Sequence, residues 1–123
     1  MPKTIFYAAV SLDGYLSGPD GDMTWAEKYL SPDQDYGWAS LISSCGSVLM
    51  GRNTFEFEVD AGADRILPTY VYTSQPLRFD GASLPGVKFV SGDLNAVVQR
   101  IFSEHPNDIF VSGGAMLVKG LIE

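Results

Sequence analysis

Apolar and polar positions along the chain fall into short blocks that alternate between strand-like and helix-like spacing. Thr4 to Val10 is almost continuously apolar, the mark of a strand covered on both faces. Asp13-Gly14 and Asp20-Gly21 are turn dipeptides that bracket a loop ending near Met23-Thr24-Trp25. Ser31-Pro32-Asp33-Gln34 then carries a helix start: Ser31 at the N-cap, Pro32 at the first helical position, Gln34 three residues after the cap. The pattern predicts a helix from there to about Cys45, stopped by Gly46. Ser47 to Met50 predicts a short buried strand, and Thr69 to Thr73 and Val87 to Val90 predict two further strands. Asp93 caps a helix on which Leu94, Val97, Val98, Ile101 and Phe102 share one face, and His105-Pro106-Asn107 breaks it. Ile109 to Val111 predicts the last strand and Ala115 to Ile122 the last helix.

Strands that alternate with helices predict an α/β domain of three layers around a mostly parallel central sheet. A length of 123 residues suits one domain, 1–123, and a hydrophobic fraction of 46% is enough to fill its core. No repeat or low-complexity linker divides it. The apolar stretch Ile5 to Leu12 is too short to span a membrane and ends at Asp13. A formal charge of −7 argues against nucleic acid as a partner, since such proteins carry a basic patch. Cys45 is the sole cysteine and His105 the sole histidine, so neither a disulfide nor a zinc site is expected within the chain. These properties predict a cytoplasmic protein without a metal. Cys45 reads as a small buried residue and His105 as a solvated loop residue.

In a parallel sheet, ligands bind beyond the carboxyl ends of the strands. Three polar segments fall at those ends: Gly51 to Thr54, Thr73 to Gln75, and Ser112 to Gly114. Ser112-Gly113-Gly114 offers close backbone approach and a helix start to a phosphate, or is an ordinary tight turn. Arg52 is suited to clamp a phosphate bidentately with Thr54 as a further donor, or is a surface arginine beside a helix cap. Thr73 and Ser74 either hold a ribose phosphate or open the turn before Pro76. Asp35 precedes Trp38, Ala39 and Ile42 at helical spacing, which puts it on the apolar face of the predicted helix. A carboxyl there has a raised pKa and can deliver a proton; the plainer reading is an aspartate favoured by the helix dipole. Trp25, Trp38, Tyr7 and Tyr15 read as core or loop packing rather than ligand platforms.

Three motifs in order resemble a known pattern: Ser11-Leu12-Asp13-Gly14, Gly51-Arg52-Asn53-Thr54-Phe55-Glu56 and Val111-Ser112-Gly113-Gly114-Ala115. Together they resemble the dihydrofolate reductase-like superfamily, and within it the reductase domain of the bifunctional riboflavin-biosynthesis deaminase-reductase. The resemblance covers the whole chain. It implies NADPH bound across the strand ends and hydride transfer to a small heterocyclic substrate, ribosylaminopyrimidine or pterin-like. It places Gly51, Arg52, Asn53 and Thr54 at the cofactor phosphates and Thr73 and Ser74 near the adenosine ribose. Ser112, Gly113, Gly114 and Ala115 fall at the pyrophosphate and nicotinamide, with the paired glycines commonly flanking a cis peptide. Ala8, Ala9 and Val10 would back the nicotinamide ring. Asp13 belongs to the riboflavin-branch signature, Trp25 to the loop over the substrate, and Asp35 to the region of the proton-relay carboxylate.

The resemblance also implies further strands beyond the last helix, whereas the sequence ends at Glu123. A domain truncated after the Gly-Gly helix would keep an open sheet edge, with the strand Ile109 to Val111 left exposed, and the expected remedy is a homodimer. The rival readings are a non-catalytic nucleotide-binding module and a dimerisation module built on the same fold.

Overall fold

A computed structural model of the chain describes residues 3–8, 12, 36–60, 67–74 and 86–122, without the side chains of 57–60 and 115. Among the described residues five strands form one sheet: β1 (Thr4–Phe6), β2 (Cys45–Gly51), β3 (Thr69–Tyr72), β4 (Val87–Val90) and β5 (Asp108–Gly113). Their spatial order is β1-β5-β2-β3-β4 and every neighbouring pair is parallel. Four helices among the described residues accompany them: α1 (Trp38–Ser44), α2 (Arg52–Asp60), α3 (Leu94–Glu104) and α4 (Ala115–Ile122). This is the three-layer α/β arrangement that the alternating pattern predicts.

Side chains alternate across the strands, so the sheet has two apolar faces to cover. Leu49, Tyr70, Val90, Ile109 and Val111 lie on one face, where Val97 and Ile101 of α3 and Leu117 of α4 close over them. Met50 and Val71 lie on the other, against Phe55 of α2. Trp38 of α1 covers that second face farther along, edge-on to Phe110 at 5.1 Å between ring centres. Each fully buried apolar side chain contributes about 1.5–3 kcal/mol, and Leu49, Val71, Ile101 and Ile109 have no exposed surface at all.

Asp93 caps α3 as its sequence predicts, accepting from the Ala96 N–H at 3.1 Å. Elsewhere the structure differs from the pattern. The predicted single helix from Pro32 to Cys45 does not run through: Tyr36 and Gly37 have φ of 53° and 84°, and α1 starts at Trp38. Glycine enters the left-handed region without cost, so Gly37 interrupts the helical spacing. Nor does Gly46 stop α1. Cys45 turns directly into β2, and Gly46 is an extra residue in it, opposite the Asp108 to Ile109 step of β5. A Cβ on Gly46 would meet Asn107 Cβ at 3.0 Å, so the close strand contact explains the glycine. Helix α2 was not legible from periodicity, though a parallel β2–β3 pair demands a crossover and a helix usually supplies it. Finally, the strand Ile109 to Val111 is not at an edge: β5 is paired on both sides, by β1 and β2, and β1 and β4 are the outer strands among the described residues. His105 is half-buried, not fully solvated, with its ring 6.1 Å from that of Tyr70.

At the amino end of the sheet a polar clamp holds the last turn of α3. Glu104 accepts from the Tyr70 hydroxyl at 2.7 Å, Lys88 Nζ at 3.0 Å and Arg100 Nε at 3.1 Å. An acid at a helix C-terminus opposes the macrodipole, and these donors offset that. The Tyr70 hydrogen bond, followed by those from Lys88 and Arg100, holds the Glu104 carboxyl down at about 2. Burial, and then the bond to Glu104, pushes the Tyr70 phenol up to about 12. The two groups act at opposite ends of the pH scale. The contribution of Glu104 is present above its ordinary value of 4.5 and is lost as pH falls toward about 2. That of neutral Tyr70 is present below its ordinary value of 10.0 and is lost as pH rises through about 12. Glu104→Gln is therefore expected to lower the melting temperature at pH 7 and to lower it much less near pH 3. Equal losses at both pH values would show that the ionised carboxylate is not what holds the helix end.

Candidate functional site

The carboxyl ends of the parallel strands share one rim, formed by Ala8 past β1, Gly113 and Gly114 at the end of β5, Gly51 and Arg52 at the end of β2, and Thr73 and Ser74 past β3. Along this rim the neighbours β5 and β2 differ from each other. The helix that follows β2 packs on one face of the sheet and the helix that follows β5 packs on the other. Adjacent strands whose helices leave to opposite faces open a crevice between them, the usual ligand position in a sheet of this kind.

Three glycines line this crevice. A Cβ on Gly51 would lie 3.5 Å from the Gly114 nitrogen and 3.7 Å from the Gly113 oxygen, so the two strand ends meet backbone to backbone. Thr54, in the first turn of α2, faces them from the other side: Cβ atoms on Gly113 or Gly114 would each stand 3.6 Å from its Oγ1. Gly113 has φ of +124°, a conformation side chains rarely adopt. The Gly113–Gly114 peptide is cis, as the family resemblance implies. A further irregularity positions the pair. Leu49 pairs with Val111 but Met50 pairs with Gly113, so Ser112 is an extra residue in β5 and the strand bulges there. Bulges are frequent beside active sites, where they re-aim the chain. Nothing in the sequence announced this one, because a bulge depends on the register between two distant strands.

The sequence-predicted residues fall as follows. Gly51, Thr54, Gly113 and Gly114 come together. Arg52 starts α2 at the rim and is half-buried; its Nη2 lies 3.5 Å from Asn53 Oδ1, at the outer limit of a hydrogen bond. Among the described residues Arg52 is the cation on this rim, since Lys3, Lys88, Arg100 and Lys119 belong to the opposite end. Thr73 is buried and its N–H donates to the Val90 oxygen at 2.9 Å, so Ser74, which is exposed, is the hydroxyl open to a ligand. The Tyr72 hydroxyl donates to the Gly92 oxygen and ties the loop after β4 to the same rim. Ala8 is exposed just past β1, and Ala115 is the first residue of α4. Ala9, Val10, Asp13, Trp25 and Asp35 lie outside the described residues. The helical spacing used to set Asp35 on the face of Trp38 does not hold, because the backbone breaks at Tyr36 and Gly37.

Cys45 is buried, and burial first of all pushes its thiol up, against the hydrogen bond with Ser44. It is therefore poorly suited to act as a nucleophile. Among the described residues no three His, Cys, Asp or Glu side chains are grouped to hold a metal ion, and no described helix is long and apolar enough to cross a membrane.

On the amino side of the crevice, three aromatic rings occupy the face that α1 covers. Tyr7 follows β1 and its hydroxyl donates to the Tyr36 oxygen at 2.7 Å. Its ring centre is 5.9 Å from that of Trp38, which in turn meets Phe110. Trp38 keeps 38% of its surface exposed and Tyr36 55%.

Comparison with known proteins agrees with this architecture. A solved structure from Shewanella sp. PV-4, named "Putative riboflavin biosynthesis protein", superposes with a TM-score of 0.78 at 25% identity, over 93% of this chain and 66% of that one. This chain thus spans slightly less than two thirds of that protein. Two proteins of Bacillus subtilis (strain 168) are similar over 98% of this chain: the uncharacterized protein YwjB, 29% identical over 69% of its length, and the uncharacterized protein YyaP, 22% identical over 67%. The model of the RibD C-terminal domain matches residues 2–123, and the chain belongs to that family, with the reductase-like fold of the dihydrofolate reductase-like superfamily.

Proposed function

We propose that this domain binds NADPH in the crevice between β2 and β5 and reduces a small heterocyclic substrate, ribosylaminopyrimidine or pterin-like, by hydride transfer. The observation that carries the reading is the convergence of Gly51, Gly113, Gly114 and Thr54 at the point where the helices part to opposite faces. The residues present fit a dinucleotide. The bare backbone at the two glycines admits a phosphate, Thr54 offers a hydroxyl 3.6 Å from where a side chain would fill the cradle, and the start of α4 adds free N–H groups. When bound, the nicotinamide supplies the hydride. The chain's own residues bind and orient. Arg52, Asn53 and Thr54 hold phosphate, and Ser74, with Thr73 behind it, borders the ribose. Ser112 to Ala115 cradle the pyrophosphate and nicotinamide, and Ala8 and Ala9 back the ring. Asp13 and Trp25 contact substrate and Asp35 donates the proton. The same reading includes a single cytoplasmic domain that pairs as a homodimer, which sedimentation at several concentrations tests.

The deciding experiment is a titration with NADPH, followed by nicotinamide fluorescence, beside a turnover assay with pyrimidine and pterin substrates. Micromolar binding with turnover is the expected result. Binding without turnover would make the domain a non-catalytic nucleotide module, and no binding would reject the reading. Within it, Asp35→Asn is expected to lower turnover while sparing NADPH affinity; an unchanged pH-rate profile would remove Asp35 from the chemistry.

A further inference from the structure

The end of β3 is tied to the loop after β4 by more than strand pairing. The two strands pair from Thr69 with Val87 to Tyr72 with Val90, and the Thr73 N–H adds a bond to the Val90 oxygen at 2.9 Å. Past that point a side chain continues the link: the Tyr72 hydroxyl donates to the Gly92 oxygen. The core holds the ring that makes this bond. Tyr72 lies between Gly51, which has no side chain, and Val90, and it is partly buried against the cluster that includes Val90 and Leu117. A tyrosine, with an apolar ring and a polar tip, suits a place between core and rim. Gly92 has φ of +100°, and a Cβ there would meet nothing within 4 Å, so the turn of the backbone and not crowding calls for glycine. Helix α3 has other anchors. The Asp93 cap fixes its start, and Leu94 packs so close to α4 that its Cδ1 would stand 2.6 Å from a Cβ on Gly120. The Tyr72 bond therefore fixes the loop itself, where Ser91, Gly92 and Asp93 are all exposed.

We propose that Tyr72 is a positioning residue, whose hydroxyl holds Ser91 to Asp93 as a fixed wall beside the adenosine half of the dinucleotide. The inference rests on the cofactor reading above for the identity of that ligand. The placement follows from strand order. The rim runs β5, β2, β3, β4, and neighbouring strands lie about 4.8 Å apart, so the end of β4 stands about 10 Å from the end of β2. A dinucleotide with its pyrophosphate between β5 and β2 and its ribose at Ser74 carries the purine onward to the β4 loop. A loop already held in one conformation loses little freedom when the ligand arrives, which favours binding. Tyr72 acts through Gly92 and not on the reacting atoms.

The test uses the whole chain and Tyr72→Phe, which keeps the ring and its packing and removes the hydroxyl. The probe is adenosine 2′,5′-bisphosphate, the adenosine half of NADPH, titrated by calorimetry. Tyr72→Phe is expected to weaken it about threefold to tenfold, the ordinary size of one lost hydrogen bond. Amide hydrogen exchange separates positioning from folding. Without ligand, exchange at Gly92 and Asp93 should be faster in Tyr72→Phe than in the parent, and unchanged at Val97 and Ile101 of α3. Saturating probe should slow exchange at Ser91 to Asp93 in the parent, as a ligand beside the loop requires. Equal affinity of both proteins for the probe would overturn the proposal. So would a parent that ignores the probe at millimolar concentration, or a loop whose exchange the bound probe leaves unchanged. Faster exchange throughout α3 would also overturn it and make Tyr72 a residue of the fold. A parent that turns over NADPH while Tyr72→Phe changes nothing keeps the reductase reading and removes Tyr72 from it. A parent that binds the probe through Tyr72 but never oxidises NADPH rejects the reductase reading and leaves the role of the loop standing.

Discussion

Gly114→Val is expected to lower NADPH affinity at least about a hundredfold, about 2.7 kcal/mol, while the protein stays folded. The strand ends leave space for one carbon at this position, because an ideal Cβ stands 3.6 Å from Thr54 Oγ1, an ordinary contact. Valine adds two more carbons. They turn either into Thr54 or into the space where a phosphate approaches the backbone. Gly114→Ala should consequently lose much less than Gly114→Val. Gly113 is the poorer test, because its φ of +124° makes any side chain costly in itself and would mix folding with binding. Circular dichroism establishes the fold and calorimetry the affinity. A folded Gly114→Val protein with normal affinity would reduce the Gly-Gly turn to a structural link.

How far the sequence discloses this site depends on which interactions are local. The cap and apolar stripe of α3, the bounds of α4 and the blocks of β3 and β4 are set by neighbours within a few residues, and they stand where the pattern puts them. The glycines and Thr54 were legible for the same reason: each sits at a strand end that its own segment defines. Besides the bulge at Ser112, three things were not legible. Phe55-Glu56-Phe57-Glu58-Val59 alternates like a strand, and only the parallel pairing of β2 with β3 makes it the crossover helix α2. The break at Tyr36-Gly37 sits inside a segment with a strong helix start, so the spacing from Asp35 to Trp38 looked continuous. Strand order was hidden altogether. Periodicity does not say that β5 inserts between β1 and β2, and that insertion both removes β5 from the edge and brings Gly113 beside Gly51.

The expected preference of this domain for NADPH over NADH is carried by Arg52, and Arg52→Ala should remove it. The chain bears a formal charge of −7, so a dinucleotide with an additional phosphate approaches against a general repulsion. Screening reduces that repulsion beyond about 8 Å at physiological salt, which leaves the outcome to local groups. On the described rim the local cation is Arg52, one residue past Gly51; Gly51 pairs with Tyr72 of β3, and Ser74 follows Tyr72 two residues later. A guanidinium and an exposed hydroxyl on neighbouring strand ends suit a ribose phosphate. A hydrogen bond to a charged partner is worth about 1.5–3 kcal/mol, so Arg52→Ala should weaken NADPH roughly tenfold to a hundredfold. NADH, which lacks the 2′-phosphate, should change little, and the two affinities should converge. Raising the salt concentration should weaken NADPH more in the parent than in the variant, since the variant has one attraction fewer to screen. The experiment is a pair of fluorescence titrations on each protein. If Arg52→Ala weakens both dinucleotides alike, Arg52 serves the pyrophosphate that they share. If the parent already binds them equally, neither Arg52 nor Ser74 reads the 2′-phosphate.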